Sequence, residues 1–152
     1  NKSFVNNWEY YPLTEREIKF IVDSIMVVGV PDLIKVITYN EDVVGFLLAF
    51  PDISAALQKH KGRLTPWALV SYLHELNHTD WLSFNGIGIL PEYQGRGGNY
   101  LLFSEIYKSA NSRNFIHGEL TQIAETATQM RKDLENLGVN PYKNHRIYGK
   151  KI

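Results

Sequence analysis

The chain has 152 residues, a length typical of one domain with a single hydrophobic core. Hydrophobic residues make up 44% of it and charged residues 21%, close to ordinary globular usage, so neither a disordered nor a fibrous protein is favoured. The 16 basic and 16 acidic residues balance, and no apolar run approaches the ~20 residues that cross a bilayer, so neither nucleic acid nor a membrane is a predicted partner. The chain has no cysteine, which excludes disulfides and a cysteine nucleophile and is compatible with the cytoplasm, where we expect it.

The first half of the chain predicts a helix followed by a hairpin. Thr14 and Glu17 form a capping-box pattern ahead of apolar residues at helical spacing. Two segments rich in branched residues follow, 33–39 and 43–50, and a polar turn separates them. The opening residues 1–8 read as the interior of a longer sequence. We therefore expect a single domain, residues 1–152, that is a fragment of a longer protein.

The remaining elements alternate between helix and strand. The patterns predict helices over 53–60 and 66–78, a strand over 81–90, a helix over 100–109, a strand over 115–123, a helix over 126–137 and a final strand over 146–152. A glycine-rich turn, Gln94-Gly95-Arg96-Gly97-Gly98-Asn99, joins the strand over 81–90 to the next helix. The first amides of a helix lack intrahelical partners, and glycines let a ligand approach the backbone. This turn is therefore a predicted phosphate site.

The segment 87–98 resembles the cofactor segment of the GNAT N-acyltransferase superfamily, whose pattern is Arg or Gln, two residues, Gly, one residue, then Gly or Ala. Gln94 and Gly97 match that pattern, whereas Asn99 stands where Gly or Ala is usual. The order of elements extends the resemblance over roughly residues 10–150. It implies an α/β (α+β) fold, a mixed and mostly antiparallel sheet flanked by helices. The segments 11–14, 45–51 and 146–148 look like the C-terminal half of longer, uncharacterised bacterial members, so an N-terminal domain of the same full-length chain is an expected partner.

The resemblance implies transfer of an acetyl or other acyl group from acyl-CoA to an amine on a small molecule or a peptide. The backbone around two strand residues is expected to meet the pantetheine arm, and the turn to hold the pyrophosphate. The expected cofactor-binding residues are Ile87, Ile89, Gln94, Gly95, Arg96, Gly97, Gly98, Asn99 and Tyr100.

Two residues are candidate catalytic groups. An amine with a pKa of ~10.4 needs about 4.6 kcal/mol to lose its proton at pH 7, so a base must accept that proton. Glu119 is the preferred base, because strand alternation separates it from the apolar Ile116 and Leu120. Relatives often protonate the departing thiolate with a tyrosine at a position that is Leu134 here. Tyr142 is the expected substitute, with Tyr148 as a second candidate.

Two alternatives stay open. The departures at Asn99 and Leu134 are compatible with a non-catalytic half that binds CoA or supports a neighbouring domain. His74-Glu75-Leu76-Asn77-His78 spells the H-E-x-x-H pattern of zinc hydrolases on a predicted helix, without the glycine and third histidine of the extended pattern. A P-loop and a dinucleotide fingerprint are excluded, since the glycines lack the Gly-Lys-Ser/Thr ending and the required spacing.

Overall fold

The computed structural model describes residues 11–146 and 148–150, without the side chains of residues 26–28. The chain forms nine regular elements in these ranges, apart from two short 3₁₀ turns. They are α1 (Glu15–Val28), β1 (Ile34–Tyr39), β2 (Asp42–Pro51), α2 (Ser54–Lys59), α3 (Pro66–His78), β3 (Trp81–Ile89), α4 (Gly98–Ser112), β4 (His117–Leu120) and α5 (Thr128–Asn136).

The four strands form one mixed sheet in the order β1-β2-β3-β4. The β1–β2 and β2–β3 pairs are antiparallel, while β3 and β4 run parallel. The predicted mixed, mostly antiparallel sheet is confirmed. The parallel pair needs a crossover, and the glycine-rich turn with α4 supplies it.

The main core lies between one face of the sheet and α4. It is formed by Leu33, Leu47, Ala49, Leu82, Ile89, Leu102 and Ile106, all buried. Leu102 and Ile106 are one turn apart on α4, which is why this helix covers the sheet with a single apolar stripe. A smaller cluster of Ala56, Ala68 and Tyr72 joins α2 to α3.

Local signals set most of the element boundaries. The predicted capping box is present at α1, where the Thr14 hydroxyl accepts from the Glu17 N–H and the Glu17 carboxylate accepts from the Thr14 N–H. Thr65 caps α3, and Pro66 begins it. Helix α5 ends before Gly138, whose φ of 79° is the left-handed conformation of a helix C-terminus.

Three predicted elements differ most from the structure. Helix α4 begins at Gly98 rather than at residue 100, and β4 is restricted to His117–Leu120. The predicted strand over 146–152 is wrong over its described residues, Arg146 and 148–150, which are irregular and exposed. The other residues of that segment lie outside the described ranges. None of the helices in the described ranges is long and apolar enough to cross a membrane.

Candidate active site

The glycine-rich turn presents free backbone amides to solvent. Gly95 and Gly97 have φ of 72° and 82°, conformations that a residue with a side chain adopts only with strain. Among the described residues, no backbone N–H from Gly95 to Tyr100 is hydrogen-bonded to another part of the protein. The first intrahelical bond here runs from the Leu101 N–H to the Gly97 carbonyl oxygen, at 3.2 Å. These amides and the helix dipole form a site suited to a phosphate group.

The strand before the turn has an open edge. β3 and β4 pair only from Trp81 and His117 to Phe84 and Leu120, after which β4 ends. In β2, Leu48 pairs with Gly86 and Ala49 with Phe84, so Asn85 is an extra residue, a β-bulge.

The bulge changes which residues of β3 direct their peptide groups toward β2 and which direct them toward β4: even-numbered residues face β4 before the bulge and β2 after it. Before the bulge, the Phe84 carbonyl oxygen accepts from the Thr121 N–H after β4. Beyond the bulge, the Leu90 N–H donates to the Val44 carbonyl oxygen in β2. Because ladder bonds alternate along a strand, the peptide groups of Ile87 and Ile89 face the unpaired edge. A ligand can hydrogen-bond there to the Ile87 peptide group and to the Ile89 N–H, while the Ile89 carbonyl oxygen accepts from the Gln94 side chain.

Gln94 and Arg96 are oriented by contacts within the turn. The Gln94 side-chain amide donates to the Ile89 carbonyl oxygen at 3.0 Å and so ties the turn to the end of β3. The Arg96 guanidinium lies over the Tyr93 ring, 5.3 Å from its centroid, a cation–π contact on an exposed surface. This contact places the positive charge of Arg96 beside the free amides.

Asn99 links the turn to α5. Its side-chain amide donates to one carboxylate oxygen of Asp133 at 2.8 Å, and the Gln129 amide donates to the other oxygen at 2.8 Å. Asp133 is buried, so both hydrogen bonds offset the desolvation of its carboxylate. The residue that departs from the usual Gly or Ala thus has a structural role, and its backbone N–H stays free.

The two candidate catalytic residues lie in direct contact. The Tyr142 hydroxyl donates to Glu119 Oε1, and the Lys143 ammonium donates to the same oxygen at 2.9 Å. The hydrogen bond from Tyr142, and secondly that from Lys143, lower the pKa of Glu119 below its ordinary value. The pKa of Lys143 is raised, first by Tyr142 and then by Glu119. Glu119 is an ionised hydrogen-bond acceptor at neutral pH.

Sequence reasoning missed Lys143 because it is 24 residues from Glu119 and carries no motif. The adjacency to Tyr142 was the one available signal. Leu134, at the position where relatives often have a tyrosine, is buried in α5 and contributes no polar group. Tyr148 is exposed, and the structure gives it no contact with Glu119.

A cleft lies on the sheet face opposite the main core. Ser83 and Glu119 are partners in the parallel β3–β4 register, so their side chains point to the same face. Ser83 lines a cleft of about 370 Å³. Its other lining residues are Ser24, Ile25, Phe50, Pro51, Asp52, Ile53, Ser54, Leu57, Leu76 and Asn85. Asp52 is the one charged residue of this set, and the main-chain N–H of Ser54 donates to its Oδ1 at 2.8 Å.

The two histidines of the H-E-x-x-H pattern stack on each other at the end of α3. Their ring centroids are 4.1 Å apart with an interplanar angle of 21°, and His78 Nδ1 is 2.8 Å from the His74 carbonyl oxygen. A search for three or more His, Cys, Asp or Glu side chains that could hold a metal finds none among the described residues. The pattern has no third ligand there.

Comparison with curated proteins gives two relatives that are longer than this chain. It is 29% identical to protein YghO of Escherichia coli (strain K12), covering 100% of this chain and 40% of the relative. It is 23% identical to a bacterial ceramide synthase of Caulobacter vibrioides, again over 100% of the chain and 41% of the relative. The chain thus spans about 40% of the length of these relatives. No protein-family model matches it.

Solved structures of acetyltransferases resemble this chain. Aminoglycoside N-acetyltransferase AAC(6')-Iy, solved in complex with CoA, superposes with a TM-score of 0.57 at 15% identity, covering 100% of this chain and 96% of that one. An aminoglycoside 6'-N-acetyltransferase of Acinetobacter haemolyticus gives 0.59 at 12% identity over 93% and 85%. The ribosomal-protein-S18-alanine N-acetyltransferase of Escherichia coli gives 0.55 at 15% identity over 89% and 66%. The chain therefore has the fold of the GNAT acetyltransferases, as its sequence predicted.

Proposed function

We propose that the chain is an acyl-CoA-dependent N-acyltransferase domain. The observation that carries this proposal is the run of unbonded amides from Gly95 to Tyr100 at the start of α4, beside the open edge of β3. The amides bind the pyrophosphate of CoA, and the peptide group of Ile87 and the N–H of Ile89 bind the pantetheine arm along the edge. The Ile89 carbonyl oxygen already accepts from the Gln94 side chain. Neighbours with this fold include an enzyme solved with CoA, which supports the same cofactor here.

The reaction joins an amine nitrogen to the acyl carbon and breaks the bond between that carbon and the CoA sulfur. One amine proton leaves the nitrogen, and the thiolate sulfur takes up a proton, so the products are an amide and CoA. With the thioester on the β3 edge, the amine approaches from the cleft that Ser83 and Asn85 line. Glu119 stands next to Ser83 across the parallel pair and is the proposed proton acceptor, directly or through one water.

Tyr142 is the proposed proton donor to the departing thiolate. Its hydroxyl donates to Glu119, so a proton given to the sulfur can be replaced by the one that Glu119 receives. Lys143 favours the ionised form of Glu119 and so keeps this carboxylate ready as an acceptor. The low pKa makes Glu119 a weak base, which suits removal of a proton from a nitrogen already bonded to the acyl carbon.

The cleft favours an amine that carries a hydrocarbon chain. An aminoglycoside-type acceptor has several ammonium groups, and each buried cation needs a carboxylate partner. Asp52 is the one carboxylate among the lining residues, whereas Ile25, Phe50 and Leu57 are apolar. On α1, Ile21 precedes Ile25 by one turn and so lies on the same side of that helix. The name of the Caulobacter relative, a ceramide synthase, indicates an amide-forming enzyme of lipids and supports this class of acceptor.

The test combines ligand binding with turnover. At 100 times the dissociation constant, CoA stabilises a one-site protein by about 2.7 kcal/mol, so we expect Tm to rise by roughly 5–10 °C. Gly97→Ala should lose most of this rise, while Gly62→Ala is the matched control. Both glycines have positive φ and no heavy atom within 4 Å of an added Cβ, but Gly62 lies between α2 and α3. Equal shifts in both variants would contradict binding at the turn.

Thiol release from acyl-CoA should then be measured with a long-chain amino alcohol, an alanyl peptide and an aminoglycoside. We expect turnover with the amino alcohol. Turnover with the aminoglycoside alone would overturn the acceptor class and leave the acyltransferase assignment standing. A CoA-dependent rise in Tm without thiol release from any amine would favour the non-catalytic alternative, in which the chain binds CoA and supports a neighbouring domain.

A further inference from the structure

The hairpin of α2 and α3 carries a segregated positive charge. Between Asp52 and Glu75 the sequence has three cations, Lys59, Lys61 and Arg63, and no acidic residue, although the whole chain is neutral. The three cations, together with His60 and Thr65, line one shallow pocket with a volume of about 280 Å³. We call residues 59–63 the basic loop. Its charge is unbalanced by any neighbour in sequence.

Exposed apolar side chains stand directly beside the basic loop. The exposed fractions are 77% for Leu64, 81% for Trp67, 62% for Val70 and 60% for Leu73. Trp67, Val70 and Leu73 recur every three residues on α3, and we call these four residues the apolar rim. The opposite side of α3 is already occupied, because Ala68 and Tyr72 are buried against α2. A helix that is apolar on its solvent side as well carries a surface of the kind that marks an interaction site.

We propose that this hairpin docks onto the surface of an anionic phospholipid bilayer. The basic loop contacts the lipid phosphates, while Leu64 and Trp67 enter the boundary between headgroups and acyl chains. Tryptophan is favoured at that boundary because its ring is apolar and its N–H can still be hydrated. Each lysine or arginine near an anionic surface adds attraction that decays within a Debye length, so the two features act together.

This inference revises the prediction, made from the balanced total charge, that no membrane takes part. That argument averages over the chain, and the three cations of the basic loop are compensated by acidic residues elsewhere. A bilayer also explains the aliphatic part of the rim better than a nucleic acid does. Single-stranded nucleic acid binds cations and stacks bases on aromatic rings, but Leu64, Val70 and Leu73 offer no ring.

The test is sedimentation of the purified chain with vesicles of phosphatidylcholine alone and of phosphatidylcholine mixed with phosphatidylglycerol. We expect binding to the mixed vesicles and weakening by salt. The triple variant Lys59→Gln, Lys61→Gln, Arg63→Gln should lower the partition coefficient by about 100-fold, since each cation contributes roughly fivefold. Lys19→Gln, Lys108→Gln, Lys132→Gln is the matched control with the same change of charge, and it should stay within about threefold of the original chain.

A second pair of variants separates charge from insertion. Trp67→Ser and Leu64→Ser should each weaken binding at unchanged net charge, and both side chains are exposed, so the fold should persist. Absence of binding to the mixed vesicles, or an equal loss in the two triple variants, would overturn the proposal. So would self-association of the chain without vesicles that Trp67→Ser abolishes, because the rim would then be covered by a second copy.

Discussion

The two faces of the sheet differ in what their side chains do. The face toward α4 is closed, with Leu47, Leu82 and Leu102 fully buried. The opposite face is open: Val36 on β1 is 59% exposed, and Ser83 lines the cleft beside Glu119. The same strands contribute to both faces, because successive side chains alternate. Stability and chemistry are therefore separated across one layer of backbone and should be separable by substitution.

The largest expected effect lies on the closed face. Leu102→Ala removes a fully buried side chain from the core and should lower the free energy of unfolding by about 2–5 kcal/mol. Val36→Ala, on the open face, should change it by less than about 0.5 kcal/mol. Urea titration followed by circular dichroism measures both. Equal losses would show that the open face is as well packed as the closed one and would break the comparison.

The next effect is on activity and lies on the open face. Glu119→Gln keeps the size of the side chain but removes the proton acceptor, so we expect kcat to fall about 100-fold. The free energy of unfolding should change far less than in Leu102→Ala. Glu105→Gln, which breaks an exposed pair with Lys108 on α4, is the control and should leave kcat unchanged. An unaffected kcat in Glu119→Gln would mean that another group accepts the proton.

A smaller effect is expected where the turn meets α5. Asn99→Ala removes the donor to one oxygen of the buried Asp133 carboxylate and should cost about 1–2 kcal/mol of stability. The residue 99 amide remains, so the rise in Tm on adding CoA should persist in the variant. Loss of that rise with unchanged stability would assign the Asn99 side chain to the ligand and not to α5.

The smallest effect concerns pH. The pKa of Glu119 is lowered in the fold, so its contribution to stability is complete above its ordinary value of 4.5 and is lost as pH falls below it. Glu119 stays ionised through the neutral range. With an amine acceptor of pKa ~10.4, log kcat/KM should therefore rise with a slope of about 1 from pH 6 to 9. A bend between pH 6 and 7 would point to a histidine base.

Local patterns predicted the elements well, because caps, turn residues and periodicity act over short distances. The start of α4 at Gly98 was missed for a long-range reason. Glycine disfavours helix, but a Cβ at Gly98 would lie 2.8 Å from the Ile89 Cδ1 atom and 3.3 Å from Ile37 Cδ1. The close approach of the helix to these two side chains on β1 and β3 therefore favours glycine here, since a larger residue would have to displace them. Single-sequence patterns carry no information on such distances.

In the candidate site, too, the features built from adjacent residues could be predicted, and those built from residues distant in sequence could not. The turn could be predicted because its chemistry is contained in six consecutive residues. The contact of Tyr142 and Lys143 with Glu119 depends on how the chain returns to β4 after α5, and the Asn99–Asp133 hydrogen bond spans 34 residues. The cleft could not be predicted from the sequence, because its lining residues come from five different elements, α1, α2, α3, β2 and β3.

The β-bulge at Asn85 constrains the number of residues in β3 more than it constrains which residues they are. On the N-terminal side of the bulge, the even-numbered Leu82 and Phe84 point into the main core. On its C-terminal side, the odd-numbered Ile87 and Ile89 point into the same core. Deletion of one residue at this point would turn one of these two pairs of side chains away from the core. The side chains of that half of the strand would then face the wrong side of the sheet. We therefore expect the strand to tolerate many side chains at position 85, but no change in its length.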